Sequence, residues 1–278
     1  MFKINLLFAF SLCCTIIVGY TMRVQCDLAD DTSSAFQGGF AFEMIMTKLQ
    51  FLEDRSIAND QRKVQRSCSE VPSSGIYNIQ PEKPFKEPMS VLCDQEYDSG
   101  GWIVIQHRFD GSMNFFRNWK EYKHGFGNLD GEFWLGLDRI YQLTVSRPHE
   151  LVVLLEDFDG NKTYAKYDQF EIGDESEKYI LKMLGEYSGN AGDSLVFHKN
   201  MTFSTFDEDN DTHDINCAIT YTGAWWYHKC HHNNLNGKYL RGATEEYATG
   251  MVWLTFRRNY YSLKTSKMMI RPKKPLVH

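Results

Sequence analysis

Residues 100–144 read GGWIVIQHRFDGSMNFFRNWKEYKHGFGNLDGEFWLGLDRIYQLT, a short apolar segment followed by turns and two helical patches. The segment Gly101–Gln106 is rich in aromatic and β-branched residues, and a Gly precedes it, which is typical of a β-strand. The helical patches lie around Trp119–Tyr122 and Leu137–Leu143. Short strands mixed with short helices predict a domain of the α+β class.

Similar segments lie on either side of this stretch. Gly75–Ile79 and Leu151–Leu155 are also predicted strands, and Lys178–Leu184 is a predicted helix. Towards the C-terminus the regular patterns fade and long loops take over. Long ordered loops in a compact domain are usually functional, so we expect the functional site there.

Composition limits the size of the fold and the class of partner. The chain has 278 residues, of which 42% are apolar and 14% aromatic, enough for one sizeable core. The formal net charge is −6, and the sequence contains no basic run. This balance argues against nucleic acid and anionic membranes as partners.

The first residues have the pattern of a secretory leader. Lys3 supplies a positive charge, and Leu6–Val18 is an almost unbroken apolar run that ends near Gly19. The run is too short for a comfortable membrane span, so membrane insertion is not expected. We predict a signal peptide within residues 1–26, cleaved between about 19 and 26, and a secreted, extracellular protein.

Five of the seven cysteines lie beyond the apolar run. Pairing Cys68 with Cys93 and Cys217 with Cys230 closes two short loops, each of which could stabilise the fold by about 3 kcal/mol. Cys26 is then left over. It either forms an interchain disulfide or remains a free thiol, or it is removed if the leader is cut after it.

Residues 27–67 form a polar linker with one short helical pattern. Its apolar residues recur at alternating spacings of three and four and form a seam along one face of the helix: Phe42, Ile45, Leu49 and Leu52. The next seam positions are Ser56 and Asn59, so the pattern covers only two heptads. The helix either joins copies of the chain as a short coiled coil or packs on its own globular domain, and the linker lacks the Gly-X-Y repeat of a collagen stalk.

Several long motifs occur after residue 100 in a fixed order. They are the stretch quoted above, SGNAGDSL at 188–195, FSTFDEDND at 203–211 and CAITYTGAWWYHKCHHNNLNGKYL at 217–240. Together they resemble the fibrinogen C-terminal domain family over residues 68–272, leaving a tail at 273–278. Within that family, the sequence looks most similar to the ficolin, tachylectin and invertebrate fibrinogen-related lectin branch.

The resemblance implies a fold and a pairing of cysteines. It implies a small N-terminal subdomain, a central twisted antiparallel sheet with flanking helices, and a loop-rich C-terminal subdomain with the calcium and ligand sites. It also implies the disulfides Cys68–Cys93 and Cys217–Cys230, the same pairs that loop length favours.

The run Asp207–Asp211 places carboxylates at alternate positions, which allows them to converge on a hard cation. An EF-hand is excluded, because position six is Thr212 and position twelve is Ala218. The alternative to a metal site is a solvated acidic loop.

For this loop the resemblance implies a Ca²⁺ site. The ligands it implies are the side chains of Asp209 and Asp211 and the backbone carbonyls of His213 and Ile215. The family usually has Gly where Ile215 stands, so this position departs from the pattern.

The segment Cys217–His232 could be interpreted as a zinc or protease site, because His228, His231 and His232 lie close to cysteines. A disulfide-bonded cysteine is neither a thiolate ligand nor a nucleophile, and no acid, base and orienting group accompany it. We therefore expect no enzymatic activity.

The resemblance implies a ligand pocket instead. The peptide bond between Lys229 and Cys230 would be cis, which would direct the N–H groups of Cys230 and His231 towards a ligand carbonyl. The positions that match the acetyl-binding lectins are Tyr221, Tyr247, Ala248 and Tyr260. The alternative is that these tyrosines are packed in the core.

The charge of the ligand pocket distinguishes the lectin branch of the family from the fibrinogen chains. In the fibrinogen chains the counterparts of Tyr221 and Ala248 are aspartates that pair with a cationic peptide terminus. Without these carboxylates, a cationic peptide would lose two charge-assisted hydrogen bonds, whereas a neutral acetamido group would fit the N–H donors and an aromatic wall.

Three Asn-X-Thr sequons are candidate glycosylation sites in a secreted chain: Asn161, Asn200 and Asn210. Asn210 lies within the acidic run, where a glycan would obstruct binding.

These features lead to one main functional expectation and one alternative. The main expectation is a Ca²⁺-dependent lectin that binds acetylated glycans on microbial or cell surfaces in innate immunity. A single acetamido site binds weakly, so this function would require a homo-oligomer formed through Cys26 or the seam. The alternative is a signalling or adhesion ligand, similar to angiopoietin-like proteins and tenascins, that binds a protein receptor through the loop-rich face.

Overall fold

The computed structural model describes residues 14–17, 23–26, 45–52, 65–81 and 87–273. The chain divides into two compact units, Met1–Lys63 and Val64–His278.

In the first unit, β1 (Cys14–Ile17) and β2 (Arg23–Cys26) pair antiparallel, with Cys14 opposite Cys26. Residues 45–52 form helix α1, whose seam residues Ile45, Leu49 and Leu52 are exposed. The other seam positions, Phe42, Ser56 and Asn59, lie outside the described residues. The leader, the fate of Cys26 and oligomerisation through the seam stay predictions.

The second unit consists of short strands and a few short helices, which confirms the α+β class. Its strands are β3 (Gly75–Ile79), β4 (Met89–Asp94), β5 (Trp102–Arg108), β6 (Phe126–Gly127), β7 (Phe133–Trp134), β8 (His149–Glu156), β9 (Lys162–Ile172), β10 (Leu181–Leu184), β11 (Tyr187–Gly189), β12 (Asn233–Asn234), β13 (Gly242–Ala243), β14 (Val252–Trp253), β15 (Tyr261–Ser262) and β16 (Thr265–Pro272). Its α-helices are α2 (Trp119–His124), α3 (Leu137–Ser146), α4 (Cys217–Thr220) and α5 (Leu254–Arg257), and 3₁₀ turns occur at Cys68–Glu70, Glu175–Glu177 and Val196–His198.

The core of this unit is a ten-stranded antiparallel sheet. Its main order is β10-β9-β8-β16-β5-β4-β3, with β11 added to β9 and with β6 and β7 added beside β5. Trp102–Gln106 in β5 is buried throughout, which explains its continuous apolar pattern. The C-terminal strand β16 lies between β8 and β5, with Ile270 opposite both Ile103 and Leu151. The central antiparallel sheet is therefore as the resemblance implies.

Both predicted disulfides, Cys68–Cys93 and Cys217–Cys230, are present. The predicted helices at 119–122 and 137–143 are also confirmed, as α2 and α3. Helix α2 begins with a capping box, in which the side chains of Asn118 and Glu121 accept each other's backbone N–H groups.

The predicted helix at Lys178–Leu184 is wrong. Lys178 and Tyr179 have φ angles of 53° and 46°, and the following residues form strand β10. A register shift between Leu181 and Met183 interrupts the alternation, so Leu181 and Leu184 are both buried. A bulge therefore produced an i, i+3 spacing that resembles a helix.

Strand β5 positions the loop-rich C-terminal region on the sheet. Gln106 donates from Nε2 to the carbonyl of Leu235 (3.1 Å) and to Oδ1 of Asn236 (3.0 Å). Arg108 donates from Nη1 to the carbonyls of Leu235 (3.1 Å) and Gly237 (2.8 Å). Two polar side chains of the central sheet thus fix the segment that follows the Cys217–Cys230 disulfide loop in sequence.

Candidate functional site

The disulfide loop begins at α4 and is anchored by buried aromatic side chains. Asn216 caps α4 by accepting the N–H of Ile219 (2.9 Å). Trp225, Trp226 and Tyr227 are fully buried, and Nε1 of Trp226 donates to the carbonyl of Tyr179 (2.8 Å). These three aromatic residues therefore belong to the core.

His198 holds the other end of the loop. Its Nδ1 donates to the carbonyl of Trp226 (2.7 Å), and its Nε2 accepts the N–H groups of His232 (3.2 Å) and Asn233 (3.3 Å). Burial lowers the pKa of His198 to about 3, so the ring stays neutral and retains the Nε2 acceptor. The peptide bond between Lys229 and Cys230 is cis, as the resemblance implies.

A pocket of about 340 Å³ opens beside this loop. Six of the seven predicted ligand residues line it, together with three that sequence reasoning missed: Tyr221, Lys229, Cys230, His231, Tyr247 and Ala248, and then His232, Leu254 and Asn259. The seventh, Tyr260, lies beyond the wall, with its ring edge-on to Tyr247 at 5.2 Å between centroids. Leu254 and Asn259 are distant in sequence from the disulfide loop, and no motif marked them.

Hydrogen bonds between loops fix the wall of the pocket. Nε2 of His231 donates to the carbonyl of Ala248 (3.0 Å), and the N–H of Ala248 donates to the carbonyl of Asn259 (2.9 Å). Nδ2 of Asn259 donates to the hydroxyl of Tyr247 (3.0 Å). Ala248 has a φ of 62°, a conformation that L-residues adopt only when their surroundings enforce it.

The pocket is nearly uncharged and rich in hydrogen-bonding groups. Burial lowers the pKa of His231 to about 4, so the ring is neutral at physiological pH, and its buried Nδ1 is an acceptor without a partner among the described residues. The backbone N–H groups of Cys230 and His231 form no hydrogen bond with any described residue. Lys229 is the one charged residue of the lining, so the wall can bind a neutral or anionic acceptor group.

Four large apolar side chains with high exposure lie near the pocket in sequence or in space. They are Ile215 (48% exposed), Ile219 (57%), Tyr247 (52%) and Tyr260 (57%), here called the apolar rim. Tyr247 lines the pocket, and Ile219 belongs to α4, whose C-cap is the pocket residue Tyr221.

The acidic loop precedes the pocket. Asp211 accepts the N–H of His213 at Oδ1 and the N–H of Cys217 at Oδ2, both at 2.8 Å, and Asp209 accepts the N–H of Asp211 at 3.3 Å. Burial, together with the nearby charge of Asp209, raises the pKa of Asp211. Two close carboxylates beside backbone carbonyls are hard oxygen donors, so these residues fit Ca²⁺.

The other two acids of this loop have different partners. Asp207 accepts the backbone N–H of Trp119 (2.9 Å), and Glu208 forms an ion pair with Lys178 (2.7 Å). Among the described residues no cluster of three or more His, Cys, Asp or Glu side chains could hold a metal. The carbonyls of His213 and Ile215 would therefore have to complete the shell of any ion bound here.

The three sequons differ in how their side chains are held. Nδ2 of Asn161 donates to Asp157 (2.9 Å), and Nδ2 of Asn210 donates to the carbonyl of Phe203 (3.0 Å). Asn200 is exposed, has a φ of 64°, and its side chain forms no hydrogen bond within the described part of the chain. Glycosylation of each stays a prediction.

Within the described residues, no helix is both long enough and apolar enough to span a membrane.

Comparison with known proteins identifies the family. The model of the C-terminal globular domain of fibrinogen beta and gamma chains matches residues 60–273. Human angiopoietin-related protein 6 is 48% identical over 203 residues, which are 72% of this chain and 42% of that protein. The chain thus spans less than half the length of that relative.

Solved structures agree with this match. The fibrinogen-like globe domain of human ANGPTL2 is 48% identical with a TM-score of 0.73, and that of human ANGPTL6 is 46% identical with a TM-score of 0.71. They cover 76% of this chain each, and 100% and 96% of their own lengths. The lamprey fibrin D-dimer complexed with the peptide Gly-His-Arg-Pro-amide is 32% identical with a TM-score of 0.71, covering 87% of this chain and 90% of its own. The chain belongs to the family of the fibrinogen C-terminal globular domain.

Proposed function

We propose that the protein is an extracellular signalling or adhesion ligand, without catalytic activity, which binds a protein receptor through the loop-rich face around the pocket. The main support is the identity of 46–48% to angiopoietin-related protein 6 and to the globe domains of ANGPTL2 and ANGPTL6. These relatives favour a signalling function over the lectin that the sequence led us to expect first.

The chemistry of the face suits a protein partner. Exposed apolar side chains close to a concave, polar centre are typical of protein-binding sites, and tyrosines contribute strongly to such interfaces. The apolar rim supplies Tyr247, Tyr260 and Ile219 for burial, and the pocket supplies hydrogen-bond donors.

The charge of the pocket restricts what the receptor can insert. The lamprey fibrin D-dimer binds a peptide that begins Gly-His-Arg. The family resemblance implies that Tyr221 and Ala248 stand where the fibrinogen chains carry aspartates, and the wall of this pocket contains Lys229. A neutral or acidic receptor segment therefore fits better than a cationic terminus.

We include Ca²⁺ in the proposal. Asp209, Asp211 and the carbonyls of His213 and Ile215 would hold the ion, which would neutralise the two carboxylates. Because Cys217 donates its N–H to Asp211, the ion would also stabilise the start of the disulfide loop. Secretion and assembly through α1 or Cys26 complete the proposal, since assembly would raise the avidity of a weak single site.

Binding of an acetamido group is the second candidate. It is favoured by one observation: the backbone N–H groups of Cys230 and His231 have no partner among the described residues and lie beside the ring of Tyr221. These groups suit a carbonyl and a methyl group, the two halves of an acetamide.

The test compares binding to receptor-bearing cells with binding to N-acetylglucosamine. The double variant Tyr247→Ala/Tyr260→Ala removes two exposed rings and should weaken cell binding at least about tenfold, with folding unchanged. Tyr164→Ala, at an exposed tyrosine of β9 that does not line the pocket, is the matched control. Cell binding that survives the double variant would contradict the proposal, and saturable, Ca²⁺-dependent binding of N-acetylglucosamine without cell binding would establish the second candidate.

A further inference from the structure

A second cavity, of about 320 Å³, shares no lining residue with the pocket described above. It lies between the loop Gly111–Phe116 and the segment Gly237–Tyr239, with Arg108 and Thr222 completing the wall. The cavity thus lies where the end of strand β5 meets the loop-rich region.

Arg108 is the unusual member of this wall. Its side chain is only 1% exposed, and within the described residues only Nη1 forms hydrogen bonds. The buried Nε has no partner there. Since a buried guanidinium donor without a partner is costly, such a group calls for an explanation.

Glu132 balances the charge of Arg108 but does not satisfy its donors. Oε1 of Glu132 lies 4.0 Å from Nε of Arg108, beyond hydrogen-bonding distance. The carboxylate instead accepts four backbone N–H groups of the adjoining loop, from Phe109, Asp110, Gly111 and Met113, at 2.7–3.0 Å. The donor capacity of Arg108 is therefore not used up by its counter-ion.

The rest of the wall suits an anionic acceptor on a flat apolar group. The ring of Phe115 lies 4.0 Å from the guanidinium carbon of Arg108, and Phe116 and Tyr239 add further rings. Oδ1 of Asn114 accepts the N–H of Phe116, which leaves its amide donor for other partners. No Asp or Glu belongs to the lining in the described part of the chain.

We propose that this cavity is a binding site for a small carboxylate, with Arg108 as the cation that recognises it and the aromatic residues as the wall for the attached apolar group. Nη1 is used by the carbonyls of Leu235 and Gly237, and Nε is enclosed, so Nη2 is the donor left for the carboxylate. A charge-assisted hydrogen bond of this kind is strong. The cavity shares no lining residue with the pocket beside Tyr247, so this proposal does not rest on receptor binding there.

The test uses benzoate and its neutral isostere benzamide, titrated into the ¹⁵N-labelled protein and followed by the backbone amide signals of Gly111, Asn114 and Gly237. Benzoate should shift these signals saturably and bind roughly tenfold more tightly than benzamide, because only benzoate brings a negative charge to the guanidinium of Arg108. Equal binding of the two probes, or no saturable shift with benzoate, would overturn the proposal.

A plugging variant avoids disturbing Arg108 itself, which holds the segment Leu235–Gly237 by two hydrogen bonds. Ser112 is exposed at the cavity, so Ser112→Trp should fill it and abolish the benzoate-induced shifts in a folded protein. Ser188→Trp, the same change at an exposed serine of β11, should leave them unchanged. Benzoate binding that persists in Ser112→Trp would place the carboxylate elsewhere and refute the assignment. Glucuronate and N-acetylaspartate amide then distinguish an acidic sugar from an acidic peptide as the source.

Discussion

The central sheet and the loop-rich C-terminal region are held together by different kinds of interaction. In the sheet, strands β5, β8 and β16 pair over most of their lengths and bury apolar side chains. In the loop region, the described strands are two residues long, and the chain is held by a disulfide and by single buried polar groups such as His198 and Arg108. The stability of the sheet should therefore fall when a buried apolar side chain is shortened. The stability of the loop region should fall when its disulfide or a buried polar group is removed.

The largest loss of stability is expected when a buried side chain of the sheet is truncated. Ile103→Ala removes a fully buried side chain between β4 and β16 and should lower the free energy of unfolding by about 2–5 kcal/mol. Ile219→Ala, the same change at an exposed residue of α4, should alter it by no more than about 0.5 kcal/mol. Denaturant titration of both variants checks the contrast, and equal losses would contradict it.

The sheet was largely predictable from the sequence, because its strands carry continuous or alternating apolar patterns. Gly75–Ile79, Gly101–Gln106 and Leu151–Leu155 were all placed correctly to within a few residues. The strand Leu181–Leu184 was not, because its bulge produced helical spacing. The order of the strands in the sheet could not be predicted either, because no local sequence pattern indicates that β16 lies between β5 and β8.

The candidate site was predictable only as far as the resemblance reached. The disulfide loop and Tyr247 and Ala248 came from motif matching, whereas Leu254 and Asn259 reach the wall through loop conformations without a periodic pattern. The role of His198 was missed for a similar reason. The neutral, buried ring of His198 donates from Nδ1 to one segment and accepts at Nε2 from another. The sequence does not reveal that a lone histidine is buried, so it could not predict this role.

Removing the disulfides sharpens the contrast between the regions. On the chain-entropy estimate, replacing Cys217 and Cys230 by Ala should cost about 3 kcal/mol, and replacing Cys68 and Cys93 roughly 0.6 kcal/mol more, because 25 residues separate that pair instead of 13. Only loss of Cys217–Cys230 should also abolish receptor binding, since this disulfide closes the loop that forms the pocket. Retained binding in that variant would show that the polar anchors alone hold the loop.

Loss of the His198 anchor should have a smaller effect on stability and a clear dependence on pH. His198→Phe leaves the N–H groups of His232 and Asn233 without their acceptor, at an expected cost of about 1–3 kcal/mol. The folded-state pKa of about 3 lies below the usual value of 6.5, so the unfolded chain binds the proton first. The contribution of His198 is therefore fully present above pH 6.5 and is lost as the pH falls towards 3.

Urea midpoints measured between pH 3.5 and 7.5 check this dependence. The wild type should lose stability steadily below pH 6.5, and His198→Phe should lose less over the same range. His149, His107 and His231, whose pKa values burial lowers to about 4, contribute to the slope of both proteins, so the difference between the two curves isolates His198. Parallel curves would refute the assigned role.

The smallest effect on stability is expected in the acidic loop when Ca²⁺ is absent. Asp209→Asn removes a charge beside Asp211 while keeping an oxygen that can accept the same N–H group, so in EDTA the unfolding free energy should change by less than about 1 kcal/mol. In excess Ca²⁺ the wild type should melt at a higher temperature than in EDTA, because an ion that binds only the folded state stabilises it, whereas the variant should show little of this increase. Asp130→Asn, at an exposed turn, is the control and should behave as the wild type. A melting temperature of the wild type that does not respond to Ca²⁺ would show that the loop, unlike the disulfide loop beside it, is held by its own hydrogen bonds and needs no ion.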